Sequence, residues 1–523
     1  MALIQIRPQE EKQAVAARAT GELELERLVG EILNRHPAVG LALGIVRGGR
    51  LEFFHGHGFA DLEARTPITE DTVFRIGSIT KTFTGIAVMQ LWEHGLLELD
   101  APANDYLRAY KLVPTKASFP PATVRHLLTH TAGIAEIVHR PSAGFWLLDD
   151  LVKSGRPLPS LAEYYRDGLR VDVEPGSRFV YTDHDFATLG QIVEDVSGMP
   201  FARYLREHVF EPLGMAHTDL VRSERVQPHI AAAYKIRSRG ASRIDDFELV
   251  TVGGGAAYSN TKDMALYTSA LLNGGSNEHG SVLKPATLAT MFEPHYRTDS
   301  RLPGEGLVFS RTFLGGHLAV GHGGILPGFI SQMWLAPAGG SGVVAFTNGS
   351  RLAMLWLPGE TLGLLRQALG VEDDAIRRDV PQHPEIWPEI CGWYQLHARL
   401  TDIRARAMIG GVGAEVFVRH GQLMLRLLTP IPALYRGFPL HPDDGSDPYV
   451  FRIDVTEFGL GTPRVVFSQD ARGRTDRVHA DFHPLCLEKQ PSFTNPRYWV
   501  SGVIGALTAA AAATAGLRLR KGS

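Results

Sequence analysis

Val73-Phe74-Arg75-Ile76-Gly77-Ser78-Ile79-Thr80-Lys81-Thr82-Phe83 opens a mostly apolar helix that runs on through Ile86, Met89, Leu91 and Trp92. The pattern predicts a stop at Glu93-His94-Gly95, a histidine followed by a helix-ending glycine. Ser78 then falls in the first turn and Lys81 three residues on, so hydroxyl and amine share one helix face. A serine hydroxyl is a poor nucleophile until something takes its proton. A lysine in an apolar wall can do so, because burial disfavours its charged form. The free N–H groups and positive end of the helix favour negative charge beside the serine. The same S-x-x-K also fits an N-cap serine with a solvated lysine, so the spacing needs support from the rest of the chain.

That support comes in chain order. Residues 9 to 36 read as a charged amphipathic helix with Leu23, Leu25, Leu28, Val29, Ile32 and Leu33 on its buried side. Val39 to Val46, the turn Arg47-Gly48-Gly49-Arg50 and Leu51 to Phe54 make a β-hairpin. His55 and His57 alternate on one strand face and lack a third metal ligand, so they read as strand-edge residues. His126 and His130, in Thr123 to Gly133, are four apart as in a zinc helix. The glutamate that a zinc protease needs is replaced by Leu127, which leaves buried histidines fixing a turn. Ile134 to Leu161, with Phe145 and Trp146, is long enough to be a lid or substrate wall.

Tyr181-Thr182-Asp183 follows Pro175-Gly176 and leads into a helix ending at Gly198. Tyr258-Ser259-Asn260 is a rival for the same role, but it directly precedes a helix from Lys262, so Ser259 or Asn260 fits an N-cap. His322-Gly323-Gly324-Ile325 precedes strand-like runs at Phe329 to Leu335 and Gly342 to Thr347, and a helix closes the segment near Gly370. Strands flank a largely helical middle. The pattern is α+β, with one sheet built from both ends of the segment.

Composition bounds the rest. The chain has 523 residues, room for two or three domains. It is 44% hydrophobic and 21% charged, ordinary for a globular protein. A net charge of −3 without a long basic run argues against a nucleic-acid partner. Two cysteines, Cys391 and Cys486, allow neither a disulfide framework nor a cysteine-rich metal site. Met1 to Arg18 carries scattered charges and does not read as a secretory signal. Residues 371–384 read as a linker, and the alternating run 385–491 as a small β-barrel with hairpins at 414–428 and 464–480. The tail 492–523 contains Trp499 to Leu517, uncharged, alanine-rich and followed by Arg518-Leu519-Arg520-Lys521. That run can span a bilayer, giving membrane contact with its basic end in the cytoplasm, or pack as an ordinary helix.

Ser78-x-x-Lys81, Tyr181-x-Asp183 and His322-x-Gly324 in this order, with Leu127-Leu128-Thr129-His130-Thr131-Ala132-Gly133 between them, resemble the serine β-lactamase and penicillin-binding-protein family. The nearest branch is class C β-lactamases, related carboxylesterases and D-amino-acid peptidases. The resemblance covers about residues 20 to 370, judged by motif order and spacing. It implies a β-lactamase/transpeptidase-like domain over 1–370, an antiparallel sheet with a helical subdomain, and a lipocalin-like barrel after it. It also implies roles: Ser78 the acylated nucleophile, Lys81 its proton acceptor, Tyr181 the relay to the leaving group. His322-Gly323-Gly324 would line the site, and the N–H groups of Ser78 and Ile325 would form the oxyanion hole. No cofactor or metal is called for.

Two departures matter. β-Lactamases usually carry lysine where His322 stands, and neutral histidine suits a substrate carboxylate poorly. Asp183 replaces the family's asparagine. A carboxylate near Lys81 favours the ammonium, or it recognises a substrate amine. The expected function is a serine hydrolase of small esters, amides or peptides. The absence of G-x-S-x-G argues against an α/β-hydrolase. Acyl transfer to an amine or alcohol, β-lactam hydrolysis, and a non-catalytic membrane-tethered binding role stay open as alternatives.

Overall fold

The computed structural model describes residues 8–139, 149–238, 240–372, 375–396, 413–429, 431–458, 461–481, 484, 486–495 and 497, with first-helix side chains from residue 21 onward. Residues 140–148 of the long aromatic loop lie outside them, as does the run 499–517 on which the membrane expectation rests. Among the described residues no helix is long and apolar enough to cross a membrane. The chain forms two compact units. One comprises Met1–Arg297, Pro303–Asp374 and Thr456–Gly461, the other Thr298–Leu302, Ala375–Val455 and Thr462–Ser523.

In the first unit, α1 (Pro8–Arg35) precedes the strands β1 (Gly40–Arg47), β2 (Arg50–Asp61) and β3 (Thr66–Pro67). The helices α2 (Thr80–Glu93), α3 (Asp183–Ser197) and α4 (Thr261–Leu272) follow. Then come β4 (Ser310–Leu314), β5 (His317–Leu326), β6 (Phe329–Ala336), β7 (Ser341–Thr347) and α5 (Ala353–Leu369). The strands make one seven-stranded sheet in the order β4-β5-β6-β7-β1-β2-β3. β1 pairs antiparallel with β7, Leu41 opposite Thr347 and Arg47 opposite Ser341, which joins the two ends of the unit as the sequence implies.

The strand period of two gives the sheet two apolar faces. Leu41, Leu43 and Ile45 pack with Leu25, Val29 and Ile32 of α1 and with Trp356, Leu357, Leu364 and Leu365 of α5. Ala42, Val344 and Phe346 join the other core, with Phe83, Ile86 and Met89 of α2. Leu23 is a correction: expected on the buried side of α1, it is 72% exposed. The buried residues step by four and three from Leu25, and Leu23 falls well off that stripe.

In the second unit the strands are β8 (Gly392–Gln395), β9 (Ala414–Arg419), β10 (Gln422–Leu427), β11 (Phe438–Pro439), β12 (His441–Pro442), β13 (Val450–Arg452), β14 (Arg464–Gln469), β15 (Thr475–Ala480) and β16 (Cys486–Gln490). Among the described residues they form a nearly closed nine-stranded barrel in the order β11-β10-β9-β8-β16-β15-β14-β13-β12. Both expected hairpins, β9–β10 and β14–β15, are present. Thr298–Leu302, far off in sequence, belongs to this unit, and Leu302 clusters with Val450 and Val466.

Candidate active site

The sequence around Ser78 builds a rigid wall with one opening. Phe74 and Arg75 pair with Tyr258 and Ser259, which fixes the approach. Gly77 then takes φ +52°, and Gly77–Ile79 form a 3₁₀ turn before α2 begins. Ser78 therefore sits one turn ahead of the α-helix proper, because left-handed backbone at Gly77 breaks the run. From Thr72 to Leu91 every residue is buried except Ser78. A helix apolar all round belongs inside a core, and burying each large side chain stabilises it by about 1.5–3 kcal/mol. α2 ends at His94 with Gly95 at φ +69°, as read from the sequence.

Lys81 is fully buried. Its Nζ donates to Ser78 Oγ at 3.0 Å, to Asp183 Oδ1 at 2.5 Å and to the Gly254 carbonyl at 2.7 Å. Nζ also lies 4.9 Å from the centroid of the Tyr181 ring. Burial opposes the charge on Lys81, but the Asp183 carboxylate and the Tyr181 phenol outweigh it and hold the ammonium above the ordinary lysine range. An ammonium has three protons for these three acceptors. A free amine would meet the same atoms with two protons and one lone pair, the lone pair facing the Ser78 hydroxyl.

The start of α3 supplies the carboxylate. Thr182 is the N-cap: its hydroxyl accepts from the His184 N–H at 3.3 Å and donates to the Ala135 carbonyl at 3.1 Å. Asp183, His184 and Asp185 then fan out, about 100° apart on the helix. Asp183 meets Lys81. His184 Nδ1 lies 2.6 Å from the Tyr165 hydroxyl. Asp185 Oδ2 lies 2.9 Å from His130 Nδ1. Asp185 is buried, and this, reinforced by the Asp183 charge against the pull of Lys81, pushes its carboxyl well above the usual carboxylate range.

β5 closes the other side. The Ser331 hydroxyl donates to the Ile76 carbonyl at 2.7 Å. A Cβ at Gly324 would stand 2.0 Å from that carbonyl oxygen, and one at Gly77 2.9 Å from the Ile325 nitrogen, so these two glycines let strand and turn touch. His322 is buried, with its ring 6.5 Å from that of Tyr181. Its Nδ1 faces the Gly323 carbonyl at 2.7 Å. A carbonyl only accepts, so Nδ1 carries the proton and Nε2 the lone pair. Burial, and then the Lys81 charge, lower the imidazole pKa to about 4.

Ser78, Lys81, Tyr181, Asp183, His322, Gly323, Gly324 and Ile325 thus converge, from segments spread over 248 residues of chain (325 less 78, counted inclusively). A family model described as Beta-lactamase matches residues 25–363. The chain belongs to the Beta-lactamase family. It is 29% identical over 273 residues to esterase EstB of Burkholderia gladioli, covering 49% of this chain and 66% of the esterase. It is 25% identical over 353 residues to a D-aminopeptidase of Gluconobacter oxydans (strain 621H), covering 66% of this chain and 62% of the peptidase. The chain spans a little under two thirds of the length of these relatives. The octameric penicillin-binding protein homologue from Pyrococcus abyssi shares the fold, with a TM-score of 0.56 at 23% identity over 89% of this chain and 99% of that one.

The side chains of the rival motif have other partners in this family member. Asn260 caps α4 by accepting from the Asp263 N–H at 2.9 Å, and the buried Tyr258 accepts from Arg222 Nε at 3.1 Å. His55 pairs with Glu26 at 2.7 Å, and His126 closes a capping box with Thr123. Sequence reading missed Gly254 as an acceptor for Lys81 and Asp185 as the partner of His130. A carboxylate in the first helical turn two residues after Asp183 was visible, but its direction was not.

Proposed function

We propose that this chain is a serine hydrolase of small esters or amides that works through an acyl-enzyme on Ser78. The observation that carries the reading is Ser78 itself: the one accessible residue in a buried stretch, its hydroxyl bonded to a buried lysine. Lys81, as the free amine, takes the hydroxyl proton while Oγ bonds to the substrate carbonyl carbon. The N–H groups of Ser78 and Ile325 receive the oxyanion. Tyr181 gives its proton to the leaving group as the ester or amide bond breaks, and Lys81 returns one to Tyr181. Water then releases the acyl group by the reverse relay.

The environment selects among substrates. Asp183 holds Lys81 mostly as the ammonium, so the free-amine fraction, and with it turnover, grows toward alkaline pH. Neutral His322 offers no positive charge to a substrate carboxylate. Simple esters and D-aminoacyl amides therefore rank ahead of β-lactams. A fluorophosphonate should label the peptide containing Ser78 and stop p-nitrophenyl ester turnover in step. Ser78→Ala should lose both; turnover surviving in that variant removes the reading.

A further inference from the structure

We propose that His130, held by Asp185, is a positioning residue that aims Tyr181 at the leaving group. The inference rests on the acyl-enzyme reading and on the relay role given to Tyr181 there. Three contacts tie His130 to the segment that bears this tyrosine. The Val180 N–H donates to the His130 carbonyl at 2.8 Å. The Thr182 N–H approaches His130 Nδ1 at 3.4 Å. The imidazole lies 4.3 Å from the Tyr181 ring between centroids, with the planes 39° apart. The backbone on both sides of Tyr181 thus meets one histidine, Val180 through a hydrogen bond to its carbonyl and Thr182 through the approach of its N–H to Nδ1, and the phenol ring rests against the imidazole.

His130 is itself over-determined. It holds φ +54°, a left-handed backbone that a non-glycine residue adopts at a cost. Phe179 and Phe186 pack on its ring at 5.6 Å and 5.1 Å. Asp185 pins Nδ1 from below, and both side chains are buried. One proton lies between Oδ2 and Nδ1, whichever atom owns it. Because Asp185 and Asp183 leave the same helical turn, α3 fixes Lys81 with one carboxyl and, through His130, Tyr181 with the other. A histidine that only filled core space would not need strained backbone, a buried carboxyl on its ring and backbone contacts on both flanks of the tyrosine.

A leaving-group test separates aiming from folding. A p-nitrophenolate departs without a proton, whereas an alkoxide needs one from Tyr181. His130→Asn suits the experiment because asparagine tolerates left-handed φ while removing the ring. With rates taken per fluorophosphonate-labelled Ser78, kcat/KM for ethyl butyrate should fall about ten- to a hundred-fold. That for p-nitrophenyl butyrate should stay within about two-fold, since little acid catalysis is needed there. In a Tyr181→Phe background, His130→Asn should cost nothing more. Asp185→Ala should reproduce the selective loss, and Asp185→Asn, which can still bond Nδ1, should largely restore it. Equal losses on the two esters, or additive losses with Tyr181→Phe, overturn the inference. Tyr181→Phe that spares ethyl butyrate removes the relay reading instead, and a parent enzyme unlabelled at Ser78 removes the proposed function.

Discussion

Lys81 in the first unit and Arg426 in the second are both buried cations held by carboxylates. Arg426 donates to Glu415 Oε2 through Nε at 2.7 Å and through Nη2, and it lies 4.2 Å from the Phe417 ring. Glu415 also receives Asn495 Nδ2 at 3.3 Å and faces Arg497 at 3.5 Å. The guanidinium fork closes on the single oxygen Oε2, and Asn495 takes Oε1, so both carboxylate oxygens are held. At Lys81 the partners are a carboxylate, a carbonyl and the Ser78 hydroxyl, and an amine can exchange its proton. Similar burial and similar charge thus accompany a cation braced among carboxylate, amide and guanidinium in one unit and a cation bonded to a serine hydroxyl in the other. The difference lies in which side chains share the charge.

The largest effect should come from breaking the mobile pair. Lys81→Ala should lower ester kcat/KM by about 10²–10⁴-fold, the usual reach of a positioned acid–base group, while labelled Ser78 persists weakly. Steady-state kinetics checks this. The static pair should respond in stability instead. Arg426→Met should cost up to about 3–5 kcal/mol in denaturant unfolding, because buried Glu415 keeps only the Asn495 amide and the part-exposed Arg497, with kcat/KM per folded molecule unchanged. Replacing both, as Arg426→Met with Glu415→Leu, should recover most of that loss. A drop in kcat/KM for the double variant would contradict the division of labour.

Asp183→Asn sharpens the contrast at smaller amplitude. Removing the carboxylate lowers the Lys81 pKa, so the alkaline rise in ester hydrolysis should move to lower pH. The pH–rate profile reads this directly, and an unmoved limb would show that Lys81 is not the titrating base. If the carboxylate instead holds a substrate amine, D-aminoacyl amides should weaken while simple esters do not. The smallest effect belongs to His322. With its pKa near 4, it is neutral through the physiological range. His322→Gln should leave the shape of the pH profile between about pH 5.5 and 8 unchanged, where an ordinary histidine would titrate.

Sequence and structure agree best where local periodicity rules. The Ser78–Lys81 spacing, the hairpin at Arg47–Arg50 and the glycine stops at Gly95, Gly198 and Gly370 all follow from patterns within a few residues, and the sheet drawn from both ends follows from the order of the elements. The features that escaped are set by distant approach. Lys81 meets the Gly254 carbonyl 173 residues away, and Asp185 meets His130 across 55. No periodicity encodes these contacts. The segment Thr298–Leu302 likewise leaves the first unit for the second without a change in composition that would mark it. Leu23 was misplaced because a leucine-rich helix offers more apolar positions than its buried stripe can hold.

Whether Ser78 carries the acyl group during turnover is tested most directly by intact-mass spectrometry after rapid acid quench. With a p-nitrophenyl ester in excess, the protein should gain the mass of one acyl group. That mass should map to the peptide bearing Ser78 and be absent from Ser78→Ala. Active enzyme that shows no such adduct at any quench time, or an adduct that persists in Ser78→Ala, would contradict the account.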